Sequence, residues 1–165
     1  MLRRGAAAGA RAMKLTRYTD YALRVLMHLA ARPERLCSIG EIARSYGISQ
    51  NHLMKVVHDL RKAGFVTAAR GRLGGIRLAR PAEEITVGSV VRHTEDGFDL
   101  VDCASCIIAP ACGATGVLSE AVGAFLAVLD RHSLADVVAS RQEALRAFGP
   151  MARLAAAAPD TVMAP

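Results

Sequence analysis

The sequence predicts a mainly α-helical fold with a small β-hairpin wing: a winged helix-turn-helix followed by a long dimerisation helix. Two helical patterns joined by a short Gly-containing turn, within residues 38–63, are typical of a helix-turn-helix. A strand, an Arg/Gly-rich turn and a returning strand follow, and predict the wing. Hydrophobic residues make up 52% of the chain and aromatic residues only 4%, so we expect an aliphatic core, which suits helices.

The first helix is predicted from Tyr18 to about Ala31, with Pro33 just beyond its end as a stop signal. Its inward stripe is Tyr18, Ala22, Val25, Leu26 and Leu29. Residues 1–12 are rich in Ala, Gly and Arg without apolar periodicity. They predict a flexible extension, so that the fold begins at Met13, which is also a candidate for the true start.

Ser38 and Glu41 form a capping box for the second helix, in which the hydroxyl accepts from the Glu41 N–H and the carboxylate reaches back. Cys37 then takes the place of the residue before the cap, so it is predicted to be a small buried hydrophobe. Gly47 ends this helix. Ser49 caps the third, His52–Ala63, which buries Leu53, Val56, Val57 and Leu60.

The wing is predicted from strands Phe65–Ala69 and Ile76–Leu78, with a basic Gly-rich turn between them. Such a turn also resembles a phosphate-binding loop, but no helix opening with Lys-Ser/Thr follows it. Together with the helices before it and a helix over Val87–Thr94 capped by Thr86, the wing completes a DNA-binding module at residues 13–94.

An acidic, cysteine-rich loop is expected at residues 95–116, and helices at residues 117–140. In the helix Val117–Arg131 the apolar residues Leu118, Val122, Phe125 and Leu129 recur at spacings of an a/d seam. This favours a homodimer, and packing on its own domain is the alternative. Ser133 caps a short helix, Leu134–Ser140, and residues 141–165 predict a disordered tail.

Charge is divided between the two halves of the chain. Residues 1–80 contain 16 Lys/Arg and 4 Asp/Glu, whereas residues 81–165 contain 5 and 11. The local basicity indicates double-stranded DNA as a partner rather than a generally basic protein. The sequence has no recognisable secretory signal or membrane-length apolar run, and no arrangement of an enzyme site, so we expect a cytoplasmic, non-enzymatic protein without a membrane partner.

The candidate DNA contacts follow from the fold. The third helix begins with Ser49, Gln50, Asn51 and His52, and the N-terminal end of this helix meets base edges in helix-turn-helix proteins. Gln50 and Asn51 suit adenine. Lys55, Arg70 and Arg77 are expected to meet phosphates, and Arg72 at the wing tip either a phosphate or a narrow minor groove.

Cys103, Cys106 and Cys112 lie within ten residues of one another, and such clustered thiols predict a soft metal ion or a cluster. Structural zinc, with His93 or His132 as a fourth ligand, is one alternative. A redox dithiol at Cys103 and Cys106 is a second alternative, but this pair does not open a helix after a strand, as it does in thioredoxin-like units. Haem attachment requires a His where Ile107 follows Cys106.

Several segments resemble the NsrR/IscR-type winged-helix regulators that bind iron–sulfur clusters. They are Met13–Arg24, Tyr46–Lys55, Arg70–Leu78, the cysteine loop and Ser133–Asp136, and the resemblance extends from Met13 to Val138. It is greatest to the nitric-oxide-responsive members. One difference is that only Ala104 and Ser105 separate the first two cysteines, where the family usually has a wider gap.

The resemblance implies a dimeric repressor that binds a palindromic operator and responds to nitric oxide. It implies that Cys103, Cys106 and Cys112 ligate an iron–sulfur cluster, [4Fe–4S] in preference to [2Fe–2S]. It also implies that Asp20 of the other subunit completes the cluster, with Arg24 pairing to an acidic group nearby. The alternative within the same fold is a regulator that responds to iron or cluster supply.

Overall fold

The described part of the computed structural model comprises residues 14–69, 71, 74–103 and 105–140. Its elements are α1 (Arg17–Ala30), α2 (Ile39–Tyr46), α3 (Gln50–Lys62), β1 (Val66–Ala69), β2 (Gly75–Leu78), α4 (Val87–Thr94) and α5 (Gly113–Asp130), and residues 134–140 are also helical. Short 3₁₀ turns occur at Ala82–Glu84 and Ala109–Ala111. The predicted extension 1–12, the predicted tail 141–165 and the wing-tip residues Arg70 and Arg72 lie outside the described residues.

Helix α1 is the centre of the DNA-binding module. Its N-cap is Thr16, whose hydroxyl accepts a hydrogen bond from the Thr19 N–H at 3.2 Å. The predicted inward stripe is confirmed in its main part, because the buried side chains include Ala22, Val25, Leu26 and Leu29. Tyr18 is only half-buried. Helices α2, α3 and α4 and strand β2 all pack against α1.

The helix-turn-helix has the predicted order but differs at its caps. Ser38 accepts from the Glu41 N–H at 3.1 Å, whereas the Glu41 carboxylate pairs with Arg35 rather than reaching back. Gly47 ends α2 in the left-handed conformation, with φ of 62°. Ser49 is the N-cap of α3, but its hydroxyl makes no capping hydrogen bond to the described residues. The four predicted inward residues of α3 are buried.

The wing joins the first two helices through Cys37. Strands β1 and β2 are antiparallel, with Val66 opposite Leu78. Ile76 of β2 also exchanges two backbone hydrogen bonds, of 2.9 and 3.0 Å, with Cys37. The approach requires glycine at position 75, because a Cβ there would lie 2.8 Å from the Cys37 carbonyl oxygen. Cys37 is fully buried, which confirms its predicted role as a core residue.

Helix α4 has the predicted bounds and cap, with Thr86 accepting from the Ser89 N–H at 3.1 Å. Helix α5 begins at Gly113, four residues before its predicted start, because Cys112 already occupies its N-cap position. Beyond α5, Ser133 and Asp136 cap residues 134–140 reciprocally. The N–H of Leu134 donates to the Ile85 carbonyl at 2.8 Å, which ties the end of the described chain to the core.

Helix α5 is apolar and exposed. By length and composition alone it is able to span a membrane, and within the part of the chain that the structure describes none of its residues is buried. However, it packs against α4, and its last residue, Asp130, forms a bidentate ion pair with Arg92 of that helix. Because α4 belongs to the folded core, with Val90 and Val91 fully buried, these contacts favour an α5 face that binds protein over one that enters lipid.

Candidate DNA interface and cysteine centre

The N-terminal end of α3 presents the residues predicted to read DNA. Ser49, Gln50, Asn51, His52 and Lys55 are all exposed, while the opposite side of the helix is buried. The Gln50 side chain lies close to Gly40 of α2: a Cβ atom added to this glycine would be only 3.3 Å from Gln50 Oε1.

Met54 is a candidate contact that sequence reasoning missed. Its side chain is 52% exposed on α3, between His52 and Lys55, and an apolar group in that place suits a thymine methyl. The signal was present in the sequence. An apolar residue that interrupts the polar face of a helix has no core to fill.

Only part of the wing's predicted charge is described. Arg77 is exposed on β2, in register with Thr67 of β1. The Arg80 guanidinium lies over the Phe65 ring, 5.5 Å from its centroid, so it packs on the hairpin as a cation–π pair. Arg70 and Arg72 stay predictions.

Three helices meet at the carboxylate of Asp59, on α3. The Tyr18 hydroxyl of α1 donates to its Oδ2 atom at 2.9 Å, and His93 Nε2 of α4 lies 2.8 Å from the same oxygen. Burial opposes the charge of Asp59, but the hydrogen bonds from Tyr18 and His93 outweigh it and lower the pKa of Asp59. Burial and the neighbouring Asp59 raise the pKa of Tyr18 to about 12. Asp59 thus fixes α3 relative to α1 and α4.

The segment leading to the cysteines is attached to the start of α1. Glu95, the residue after α4, accepts hydrogen bonds from the Thr16 N–H at 2.8 Å and the Thr16 hydroxyl at 3.0 Å. It also accepts from the Thr19 hydroxyl, which lies 2.8 Å from the hydroxyl of the buried Thr94. The cysteine segment therefore starts beside the N-terminus of α1, one turn from Asp20.

The cysteine loop is a succession of tight turns. The N–H groups of Cys106, Ala109, Cys112 and Thr115 each donate to the carbonyl three residues earlier, at 3.1–3.3 Å. The three cysteines consequently lie on consecutive turns that lead into α5. Asp102 stabilises the first turn by accepting from the backbone N–H and hydroxyl of Ser105 at 3.2 and 2.6 Å.

The environments of the three thiols differ. Cys106 is exposed, whereas Cys103 and Cys112 are half-buried, and Cys103 Sγ lies 3.7 Å from the Thr115 hydroxyl. At the N-terminus of α5, the backbone N–H groups of Ala114 and Thr115 lower the pKa of the Cys112 thiol. Such donors stabilise a thiolate, which is the form that ligates metals. No disulfide joins the cysteines of the described residues.

The described residues also bear on the zinc alternative. Among them, the group of three ligating side chains within 4.8 Å of one another does not include the loop cysteines. His93, a proposed zinc ligand, is occupied by Asp59, and His132 is exposed.

Asp20 is half-buried on α1, and its carboxylate pairs with Arg24 on the same helix. Arg24 Nε and Nη2 each lie 2.8 Å from one of the two carboxylate oxygens. Arg24 thus pairs with an acidic group, Asp20, on its own helix, and the expected position of this pair near a cluster stays a prediction. In the described part of the chain, Arg24 is the side chain that binds Asp20, and cluster ligation by Asp20 stays a prediction.

Solvent-exposed apolar side chains lie within the cysteine loop and on the helix that follows it. Ile107, next to Cys106, is 95% exposed, and Ile108 is 61% exposed. On α5, Val117, Ala121, Ala124 and Val128 are all exposed and recur at spacings of 4, 3 and 4 residues. The predicted seam lies one residue away, where Leu118, Val122 and Leu129 are half-buried within their own chain, whereas its fourth member, Phe125, is 38% exposed. The stripe whose members are all exposed is therefore the neighbouring one, with two small residues at its centre.

Comparison with known proteins settles the family. Residues 15–140 match the Rrf2 family, described as an iron-dependent transcriptional regulator. The chain belongs to the Rrf2 family. The transcriptional regulator NsrR of Bacillus subtilis is 51% identical over 140 residues, covering 81% of this chain and 96% of that protein. NsrR of Bacillus licheniformis is 52% identical over 132 residues, covering 76% and 92%.

Solved structures of other regulators have the same fold. IscR of T. potens matches this Rrf2 protein with a TM-score of 0.69 and 30% identity, over 82% of this chain and 93% of that one. The oxidised form of Staphylococcus aureus CymR matches with a TM-score of 0.65 and 28% identity, over 76% and 96%. The winged helix-turn-helix prediction is thereby confirmed, and the protein is a transcriptional regulator rather than an enzyme.

Proposed function

We propose that this Rrf2 protein is a homodimeric repressor that holds an iron–sulfur cluster and releases its operator in response to nitric oxide. The observation that carries the proposal is the loop of three thiols, fastened through Glu95 to the helix that precedes the helix-turn-helix. The 51% identity to an NsrR regulator supports the nitric oxide signal. Its action on DNA implies a cytoplasmic protein.

The proposed cluster ligands are Cys103, Cys106 and Cys112, with Asp20 of the second subunit at the remaining corner. Such a cluster supplies iron sites that bind nitric oxide, and three thiolates leave one iron with a weaker, replaceable ligand. We favour [4Fe–4S] over [2Fe–2S]. Asp20 is available for this only if Arg24 shares or releases its carboxylate.

We propose that dimerisation uses the exposed stripe of α5. A continuous apolar stripe along an exposed helix usually marks a surface that a partner covers. The small residues Ala121 and Ala124 in this stripe allow two helix backbones to approach closely. Ile107 and Ile108 lie within the cysteine loop just before this helix, and a second subunit is a natural cover for their exposed side chains.

The DNA interface of the proposal is the exposed end of α3 with the wing. Two such heads on a two-fold dimer read a palindromic operator in half-sites about one helical turn apart. Ser49, Gln50, Asn51 and His52 lie at the end that meets the bases, Lys55 meets the phosphates, and Arg70, Arg72 and Arg77 extend the contact through the wing.

The decisive experiment is an anaerobic absorption spectrum of the purified protein before and after nitric oxide, with operator binding measured in parallel at one salt concentration. A coloured protein that bleaches and releases DNA is the expected result. A colourless protein with stoichiometric zinc would refute the cluster. If the operator is released on iron chelation but not on nitric oxide, the protein is instead a regulator that responds to iron or cluster supply. The iron dependence in the family's description and the similarity to IscR also point to this second function.

A further inference from the structure

A second group of metal-ligating side chains lies inside the winged helix-turn-helix. His28 on α1, Cys37 before α2 and Glu41 on α2 bring one nitrogen, one sulfur and one oxygen to within 4.8 Å of one another. We propose that His28, Cys37 and Glu41 bind a divalent transition-metal ion, with Zn²⁺ as the best match to this mixed set of ligands. The site is separate from the cluster loop and does not depend on the proposed function.

His28 is the side chain that points to a ligand. It is only 3% exposed, and its buried Nε2 atom makes no well-formed hydrogen bond to the described residues, the Glu41 carboxylate lying 3.5 Å away. Buried polar atoms in proteins nearly always have a good partner, so this nitrogen calls for an occupant. A neutral imidazole binds metals through such a nitrogen.

The spacing of the three groups fits one ion. A nitrogen and an oxygen that bind one tetrahedral zinc at about 2.0–2.1 Å lie about 3.3 Å apart. His28 Nε2 and Glu41 Oε1 are 3.5 Å apart. The His28 ring is held against Tyr46 in an edge-on contact, with centroids 5.8 Å apart, so little reorientation is needed. Three protein ligands leave a fourth position for water.

The charges also balance. Cys37 is fully buried, and its thiol must lose a proton to ligate the ion. On binding, the S–H bond breaks, a sulfur–metal bond forms, and the proton passes to solvent. The thiolate and the Glu41 carboxylate then neutralise the two charges of the ion.

Arg35 is the competitor for this site. Its guanidinium binds both oxygens of Glu41, one of them at 3.2 Å, and lies on the solvent side with 52% of its side chain exposed. Arg32 approaches the same corner through a 3.2 Å hydrogen bond to the His28 carbonyl. Because Arg35 is able to swing into water, the ion displaces it at modest cost, and removing Arg35 favours binding.

Occupancy of the site acts on the DNA-binding unit directly. The backbone of Cys37 pairs with Ile76 at the base of the wing, while His28 and Glu41 belong to α1 and α2. A metal ion here adds a covalently strong link among elements that already meet through the Cys37–Ile76 backbone hydrogen bonds and the core. It fixes the wing relative to the helix-turn-helix.

The test uses the full chain with Cys103, Cys106 and Cys112 all changed to Ser, so that no cluster or loop site remains. We expect Co²⁺ to produce a saturable thiolate-to-cobalt charge-transfer band at one equivalent per chain, and Zn²⁺ to abolish it. Arg35→Gln tightens binding, and Glu41→Gln weakens it at least about tenfold, since even outer-shell changes at metal sites have effects of that size. Glu34→Gln, an exposed glutamate in the same connection, is the matched control and leaves the affinity unchanged.

Cys37→Ala abolishes the band, with folding checked by circular dichroism. If this variant does not fold, the Glu41→Gln and Arg35→Gln affinities decide. Absence of a saturable band in the triple-Ser protein, a band that persists in folded Cys37→Ala, or equal affinities for Glu41→Gln and Glu34→Gln would each overturn the proposal. Since the tested protein has no loop thiols, none of these results bears on the cluster.

Discussion

Glu95, the residue that follows α4, accepts hydrogen bonds from both the backbone N–H and the hydroxyl of Thr16, the N-cap of α1. The contact joins positions 79 residues apart in the chain. It links the start of the cysteine segment to the first helix of the DNA-binding module through side-chain atoms rather than through the core. The start of the cysteine segment and the N-terminus of α1 are therefore attached directly to each other.

Replacing Glu95 with Ala removes the acceptor for Thr16 and Thr19. We expect the free energy of unfolding to fall by about 1–3 kcal/mol, as for hydrogen bonds to a charged group. If this contact transmits the state of the cluster, the ratio of operator affinities between cluster-loaded and cluster-free protein also falls towards one. Denaturant unfolding and DNA binding are the two measurements.

Glu84→Ala is the control for that variant, because Glu84 is exposed and lies in the same half of the chain. It should leave both quantities near their original values. A Glu95→Ala protein that is destabilised but retains the full affinity ratio would assign Glu95 to stability alone.

Single replacements of Cys103, Cys106 and Cys112 by Ala should each eliminate the chromophore of the anaerobically purified protein. Cys37→Ala should retain it, because Cys37 is buried at the base of the wing and is not part of the loop. Iron content and visible absorption measure the effect. Full retention of the cluster in Cys106→Ala would eliminate the three-thiolate assignment.

Asp20→Ala should alter the cluster's spectrum or its lability without unfolding the protein. Loss of the Asp20–Arg24 ion pair, which is partly exposed on a helix surface, costs only about 0.3–0.5 kcal/mol. Arg24→Ala is the matched variant, since it breaks the same ion pair but keeps the carboxylate. If the cluster spectrum changes equally in both variants, Asp20 is only the partner of Arg24 in a surface ion pair.

On DNA, Lys55→Ala and Arg72→Ala should weaken binding to all sequences and reduce the salt dependence by about one unit for each phosphate that is no longer neutralised. Asn51→Ala and Gln50→Ala should instead relax base preference at defined positions, by about 1–3 kcal/mol for each bidentate pair. Arg131→Ala, outside the basic half, serves as the control. A change of sequence preference with an unaltered salt slope would show that Lys55 or Arg72 had been assigned wrongly.

Tyr18→Phe removes one donor to Asp59 and should destabilise the protein by about 1 kcal/mol at neutral pH. The pKa of Asp59 is lower in the folded than in the unfolded state. Its contribution to the free energy of unfolding is therefore present above about pH 4 and is lost as the pH falls through the depressed pKa. The stability difference between wild type and Tyr18→Phe should thus shrink below about pH 4. Thermal unfolding from pH 7 to 2 measures it, with Tyr21→Phe on the same helix as control.

The helical scaffold was predictable because local signals and the buried pattern agree. Capping residues, Gly47 and the apolar repeats placed α1 to α4 within a few residues, and the wing followed from its turn composition. Cys37 was also predicted to be buried, because its position before the Ser38 cap calls for an apolar group. Each of these conclusions depends on residues close together in the sequence.

Contacts between distant residues were not predictable. Nothing in the local pattern indicates that Glu95 caps α1, that Asp59 joins three helices, or that His28 faces Cys37. The start of α5 was placed too late because Gly113 and Gly116 are poor helix formers, and the tight turns after Cys106 lead directly into that helix. The exposed stripe on α5 required the fold, since two neighbouring apolar stripes have the same spacing in the sequence.

The cysteine loop enters from Glu95, which is anchored on α1, and leaves into α5, whose end is anchored on α4 through Arg92 and Asp130. Between these two attachments the turns are held by bonds within the loop itself. We therefore expect that residues can be inserted or deleted there without disturbing the winged helix-turn-helix. The two-residue spacing of Cys103 and Cys106 falls in this segment, so the spacing of the thiols and the DNA-binding surface can change independently of each other.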